Sequence, residues 1–101
     1  MAAYVISDVT AKDRQAFETY RTLAAASIQH HGGRYLVRGG AITPLEGDWA
    51  PRTIIVVEFP DRQRAEAWYR SPDYAEALAV RDVALNRNLI LVEGVVETPP
   101  K

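Results

Sequence analysis

The side chains able to do chemistry near neutral pH are few here, and they cluster. The chain of 101 residues holds two histidines and no cysteine, so a thiol nucleophile and a zinc-thiolate centre are excluded and proton transfer falls to an imidazole. His30 and His31 precede a glycine pair, Gly32-Gly33; an arginine-bounded run, Arg34 to Arg38, follows, and a second pair, Gly39-Gly40, closes the stretch. In an extended run alternate residues share a face, which groups Arg34, Leu36 and Arg38 on one side and Tyr35 and Val37 on the other. A guanidinium donates two parallel hydrogen bonds to a carboxylate or to an oxygen-rich ligand. Glu58, in phase with Ile54 and Val56 on another apolar run, is the natural counter-charge, and Glu93, in phase with Leu89 and Leu91, repeats the pattern. Two readings follow: structural arginine–glutamate pairs, or a polar cavity in which Arg34 or Arg38 orients an oxygen anion, balanced by Glu58.

His31 also has two readings. It continues the apolar stripe of the helix before it, as a core or capping residue would, and it is the best-placed proton shuttle in the chain. His30 projects about 100° away from it at 3.6 residues per turn, which counts against a shared metal ion, so no metal site is expected. Trp68 and Tyr69 are either core rings or the walls of a pocket for a flat ligand. Trp49, in a loop rich in glycine and proline, is either a lid or a dimer clasp. Arg81 falls mid-stripe among Tyr74, Ala77, Leu78 and Leu85, where it must find an acceptor, snorkel outward or touch a ligand; Ala75, Ala79 and Val83 form a competing apolar face. The glycine pairs match neither phosphate-loop nor dinucleotide-binding spacing, and no Ser-His-Asp or paired-carboxylate arrangement is visible.

Positioning these groups requires four strands and two helical segments. Ala3–Val9 is rich in β-branched residues and reads as a strand. Thr10, with Asp13 three residues on, starts a helix whose stripe is Phe17, Tyr20, Ala24, Ser27, Ile28 and His31. Gly32 supplies its left-handed cap. Arg34–Gly39 is a second strand, and Arg52–Phe59, after a loop, a third. Asp61 caps the next helix, with Ala65, Trp68 and Tyr69 inward; Ser71, Pro72 and Asp73 restart it, and it runs to Leu85. Asn86-Arg87-Asn88 then reads as a turn, Leu89–Val96 as the fourth strand and residues 97–101 as a frayed tail. The order β-α-β-β-α-β predicts one ferredoxin-like α+β domain, a four-stranded antiparallel sheet with helices on one face.

Composition narrows the partners. Twelve basic and 13 acidic side chains leave a net charge of −1, with no pull toward nucleic-acid phosphates or anionic lipid, and the aromatic strand motif of RNA-recognition domains is missing. No signal peptide and no run of roughly 20 apolar residues is present, so a cytoplasmic location is expected. Ile54–Val57 and Leu89–Val92 are uninterrupted apolar runs, the mark of strands covered on both faces. Two helices cover one face; a second copy of the chain is expected on the other.

The blocks "HGGRYLVRGG", "LEGDW", "VVEFPD" and "AWYRSPDY", followed by Arg81, resemble the domain of unknown function 1330 family over roughly Tyr4 to Gly94. That family is similar to the dimeric α/β-barrel superfamily, which implies two ferredoxin-like subunits packed sheet against sheet. Related families include small monooxygenases, lactone isomerases and haem-dependent enzymes, whereas this family has no established reaction. Haem rests on fold analogy alone, which is no warrant for function, and no cofactor is expected. The expectation is a homodimer that binds a small organic molecule in a polar cavity, as a cofactor-independent monooxygenase- or isomerase-like enzyme. His31 would shuttle the proton, and Arg34, Arg38, Trp49, Glu58, Trp68, Tyr69 and Arg81 would meet the ligand. The alternative is a non-catalytic structural or ligand-sensing dimer whose buried charges only pair with each other.

Overall fold

Burial with a period of two along the first strand sets the architecture. In β1 (Ala3–Ala11) the residues Ala3, Val5, Ser7 and Val9 are buried while Tyr4, Ile6 and Asp8 are half-exposed. The structure, a computed structural model, describes residues 1–95. After β1 come α1 (Arg14–His30), β2 (Arg34–Arg38), β3 (Thr53–Phe59), α2 (Arg62–Tyr69), α3 (Pro72–Ala84) and β4 (Leu85–Glu93). The strands form one antiparallel sheet in the order β2-β3-β1-β4, the ferredoxin-like arrangement. α1 and α3 pack against each other over one face. The core joins Val5, Val9, Val57 and Phe59 of the sheet to Tyr20, Ala24, Ile28, Trp68, Tyr74 and Ala77 of the helices. No helix among the described residues is long and apolar enough to cross a membrane.

Local chemistry explains each helix end. Asp61 Oδ1 accepts from the Arg64 amide at 2.7 Å, and Ser71 Oγ accepts from the Tyr74 amide at 3.1 Å with Pro72 in the first turn. At the end of α1 the Gly33 amide donates to Ile28 O at 2.9 Å and the Gly32 amide to Gln29 O at 3.1 Å, a Schellman closure that needs the φ of +81° found at Gly32. Gly33 serves a different purpose. A Cβ there would stand 2.8 Å from both Ile28 Cγ2 and Phe59 Cε1, so a bare backbone is required where the chain passes under Phe59.

Three local expectations are corrected. The first helix is capped by Asp13, whose Oδ1 accepts from the Ala16 amide at 2.8 Å, and not by Thr10, because β1 continues to Ala11 and pairs with Leu85. Asn86-Arg87-Asn88 is strand and not turn: these residues pair with Thr10, Val9 and Asp8 of the long first strand. The ladder available from β1 outweighs the turn preference of asparagine. β4 therefore begins at Leu85 and ends at Glu93, while Val96, the expected strand end, and the tail 97–101 lie outside the described residues.

The third correction concerns parity. β2 opposes β3 through Arg34↔Glu58 and Tyr35↔Val57, then slips to Val37↔Val56 and Arg38↔Ile55. Leu36 is the extra residue of a β-bulge, and a one-residue slip moves every later side chain to the other face. Arg34 thus shares the face away from the helices with Glu58, whereas Arg38 joins Tyr35 on the helix side. Arg34, Leu36 and Arg38 do not share a face. On the side away from the helices Tyr4, Ile6, Ile54, Val56, Glu58, Ile90 and Val92 come together by register, with Ile90 55% and Val92 42% exposed.

Candidate functional site

Arginine at position 87 is the least expected feature of the interior. On β4 it alternates with Leu85 and Leu89, so strand geometry turns it under the helices. One guanidinium nitrogen donates to the Tyr20 hydroxyl, which is itself hydrogen-bonded to the Tyr74 hydroxyl. Its Cζ stands 5.5 Å from the Tyr20 ring centroid and 5.9 Å from that of Tyr74, within cation–π range. The other terminal nitrogen, Nη2, is buried and meets no acceptor among the described residues. Burial opposes the charge, but the two phenol oxygens outweigh it and hold the guanidinium protonated above its ordinary value. Burial first, and then Tyr20, push the Tyr74 hydroxyl well above the usual tyrosine range, against the pull of Arg87.

These groups adjoin a chamber of about 50 Å³ between α1 and the sheet, whose wall includes Ser7, Tyr20, Tyr35, Arg38, Trp68 and Arg87. That is room for a few water molecules. Arg21 lines it as well, and no carboxylate stands among its lining residues. Arg38 lies 4.5 Å over the Tyr35 ring, whose hydroxyl is raised by burial against the influence of Arg38. Two clefts share walls with the chamber. One of about 250 Å³ is bordered by Tyr69, Arg81, Leu89 and Arg87, the other, of about 230 Å³, by Ala65, Trp68, Tyr69 and Leu89. The arrangement can hold an oxygen anion against a half-buried guanidinium, pass a proton through the Tyr20 hydroxyl and wall off water with indole and phenol rings.

The structure divides the residues anticipated from the sequence into separate groups. Arg38 and Trp68 reach the chamber; Trp68 is 3% exposed, its indole donates to Ser27 Oγ at 3.0 Å, and its ring lies 4.2 Å from that of Tyr74. Tyr69 and Arg81 border the clefts, and Arg81 Nε donates to Asp82 Oδ1 at 3.3 Å. The face of α3 carrying Tyr74, Ala77 and Ala84 turns inward, and Val83 outward. Arg34 and Glu58 meet on the opposite side of the sheet at 2.7 Å, with the Tyr4 hydroxyl donating to the same carboxylate at 3.3 Å. Trp49 folds over that side too, donating from Nε1 to Asp8 Oδ2 at 3.0 Å. His31 stands at the end of α1 with Nδ1 2.9 Å from Ser27 O, away from both groups. His30 and His31 do not diverge as helical spacing implies, because α1 has already ended at His30; their rings approach edge-on at 5.1 Å.

Sequence reasoning missed Arg87, Tyr20 and Tyr74 as site residues. The tyrosines were visible only as members of apolar stripes, and Arg87 was hidden by the turn assigned to its asparagine neighbours. Reading the strand from Leu85 exposes the signal, an arginine in phase with Leu85, Leu89 and Leu91.

The model of the domain of unknown function DUF1330 matches residues 2–95. The chain belongs to the DUF1330 family. No curated protein matches it. Among solved structures, this DUF1330 chain is similar to a protein of unknown function from Rhodopseudomonas palustris, with a TM-score of 0.75 at 19% identity over 95% of this chain and 84% of that one. It is similar to SnoaB, a cofactor-independent oxygenase from Streptomyces nogalater, with a TM-score of 0.67 at 12% identity over 98% of each. A dimeric protein of unknown function with a ferredoxin-like fold from Bacteroides fragilis gives a TM-score of 0.56 at 13% identity, over 92% of this chain and 96% of that one. At these identities the likeness is one of fold.

Proposed function

We propose that this DUF1330 protein binds a small organic molecule as its oxygen anion beside Arg87, and acts on it as a cofactor-independent oxygenase or isomerase. One observation carries the reading. Arg87 is a half-buried cation whose enclosed Nη2 meets no acceptor among the described residues, beside a chamber with no carboxylate among its lining residues. An uncompensated buried charge is costly unless something pairs with it, and an enolate, phenolate or carboxylate oxygen is the natural complement. An enolate held this way is electron-rich at carbon, open to attack on dioxygen or to reprotonation at a new position. Tyr20, whose hydroxyl adjoins both the chamber and Arg87, would pass the proton, a role this reading transfers from His31, with Tyr74 held neutral behind it. Tyr69 and Arg81 would border the entry, and Trp68 would form the flat wall. The likeness to SnoaB, described as a cofactor-independent oxygenase, supports the reading at the level of fold.

The reading includes a homodimer closed through the sheet face away from the helices, where the neighbour from Bacteroides fragilis, described as dimeric, supplies the analogy. A second reading, a non-catalytic dimer, draws on the mutual satisfaction of Arg34, Glu58 and Tyr4 on that face.

The test is a thermal-shift screen of small carboxylates, phenols, enols and quinones on the wild-type chain and on Arg87→Met. A ligand at about 100 times its Kd stabilises by about 2.7 kcal/mol, a shift of about 13 °C for a chain of this size. Arg87→Met, which replaces a half-buried charge by an apolar chain, should fold and lose the shift. A flat response from the wild type, or an undiminished one in Arg87→Met, would remove the proposal.

A further inference from the structure

We propose that His30, His31 and Asp73 form a binding site for a divalent transition-metal ion of the zinc, nickel or copper class, bridging the end of α1 to the start of α3. One ligand-capable atom from each of the three lies within 4.8 Å of the other two. Side-chain shifts of about 1 Å bring such a set to the metal–ligand distances of roughly 2.0–2.2 Å that imidazole and carboxylate adopt around one ion. The His30 imidazole already meets the Asp73 carboxylate directly; the carboxylate only accepts, so a bound cation takes the place of the proton shared between them.

Two further features suit the cluster to a cation. His31 Nδ1 lies 2.9 Å from Ser27 O. A backbone carbonyl only accepts, so Nδ1 carries the proton and the Nε2 lone pair is left for the ion. A carbonyl that fixes the other ring nitrogen is what orients histidines bound to metals. The cluster also lies at the carbonyl end of α1, whose dipole favours positive charge, while the Asp73 carboxylate offsets the opposing amide end of α3. Two imidazoles and one carboxylate select zinc, nickel or copper over magnesium and calcium, which prefer all-oxygen shells. Three protein ligands leave a coordination position for water or a small anion.

Such an ion would act on the chamber as a clamp. Ser27, whose carbonyl orients His31, accepts the Trp68 indole through its hydroxyl at 3.0 Å, and Asp73 adjoins Tyr74 in α3. The site does not depend on what the chamber binds. The experiment uses the full chain free of any affinity tag, titrated separately with zinc, nickel, copper, cobalt, magnesium and calcium chlorides. Zinc, nickel or copper at about 100 times Kd should raise the melting temperature by about 10–15 °C, magnesium and calcium should leave it unchanged, and cobalt should develop visible d–d absorption. His30→Gln, at a side chain that is 71% exposed, and Asp73→Asn should each weaken binding at least about tenfold, with the metal-free His30→Gln chain melting as the wild type does. No stabilisation by any of these ions with no cobalt spectrum, or full stabilisation surviving in both variants, would overturn the site.

Discussion

Tyr74 shows how much a single side chain settles here. Its hydroxyl is joined to Tyr20, its ring is 4.2 Å from Trp68, and none of its surface reaches solvent. Burial raises its pKa above the ordinary 10.0, so the native state favours the neutral phenol. A folded-state value above the unfolded one gives a stability contribution that is complete below about pH 10 and is lost as the pH climbs toward the folded value. The chain should therefore begin to weaken above about pH 10, and Tyr74 should ionise only as the fold opens. Phenolate absorbance, followed together with tryptophan fluorescence, checks this: the Tyr74 step should coincide with unfolding. Ionisation of Tyr74 before any fluorescence change would contradict it. Tyr74→Phe should flatten this alkaline limb. None of this was legible from the residue alone, because a tyrosine in an apolar stripe looks the same whether its hydroxyl meets water, a carbonyl or another tyrosine.

At the scale of elements the sequence was most readable where one residue type answers one backbone need. Asp61, Ser71-Pro72 and Gly32 were placed correctly because caps and left-handed closures depend on local chemistry. The readings failed where a partner strand decided the outcome. Asn86-Arg87-Asn88 carries turn-forming residues, yet the length of β1 draws it into the sheet, and the bulge at Leu36 leaves no trace in a period-two pattern. That bulge separates Arg38 from Arg34, so an error of a single residue split the anticipated site in two. The glycine pairs offer a direct contrast to test. Gly33→Ala drives a methyl group to 2.8 Å from Ile28 and Phe59, an overpacking that costs about 1–3 kcal/mol and lowers the melting temperature by about 5–15 °C. Gly40→Ala meets nothing within 4 Å and should be close to neutral. Equal melting temperatures for the two variants would show that the passage under Phe59 is not tight.

For the whole molecule the decisive question is what covers the sheet face away from the helices. Ile6, Ile54, Val56, Ile90 and Val92 lie there together by register; of the charges on that face, Arg34 is paired with Glu58 at 2.7 Å and Asp8 accepts from the Trp49 indole at 3.0 Å. Prior pairing matters, because enclosing an ion pair is tolerable while enclosing a lone charge is not. A stable interface takes about 800 Å² from each partner, roughly a ninth of the 7159 Å² that the single chain exposes, and a four-stranded face can supply that. The proposed dimer therefore predicts sedimentation at about twice 11.3 kDa. Val92→Glu should release monomers, because the register Val92↔Tyr4↔Glu58 sets the new carboxylate near an existing one. Val92 borders neither the chamber nor its clefts, so that monomer should keep whatever thermal shift the wild type shows with ligand. A wild-type mass near 11.3 kDa at micromolar concentration would leave this apolar face without a second copy, whereas a dimeric wild type whose Val92→Glu monomer loses the ligand shift would mean that the copies shape the chamber from across the sheet.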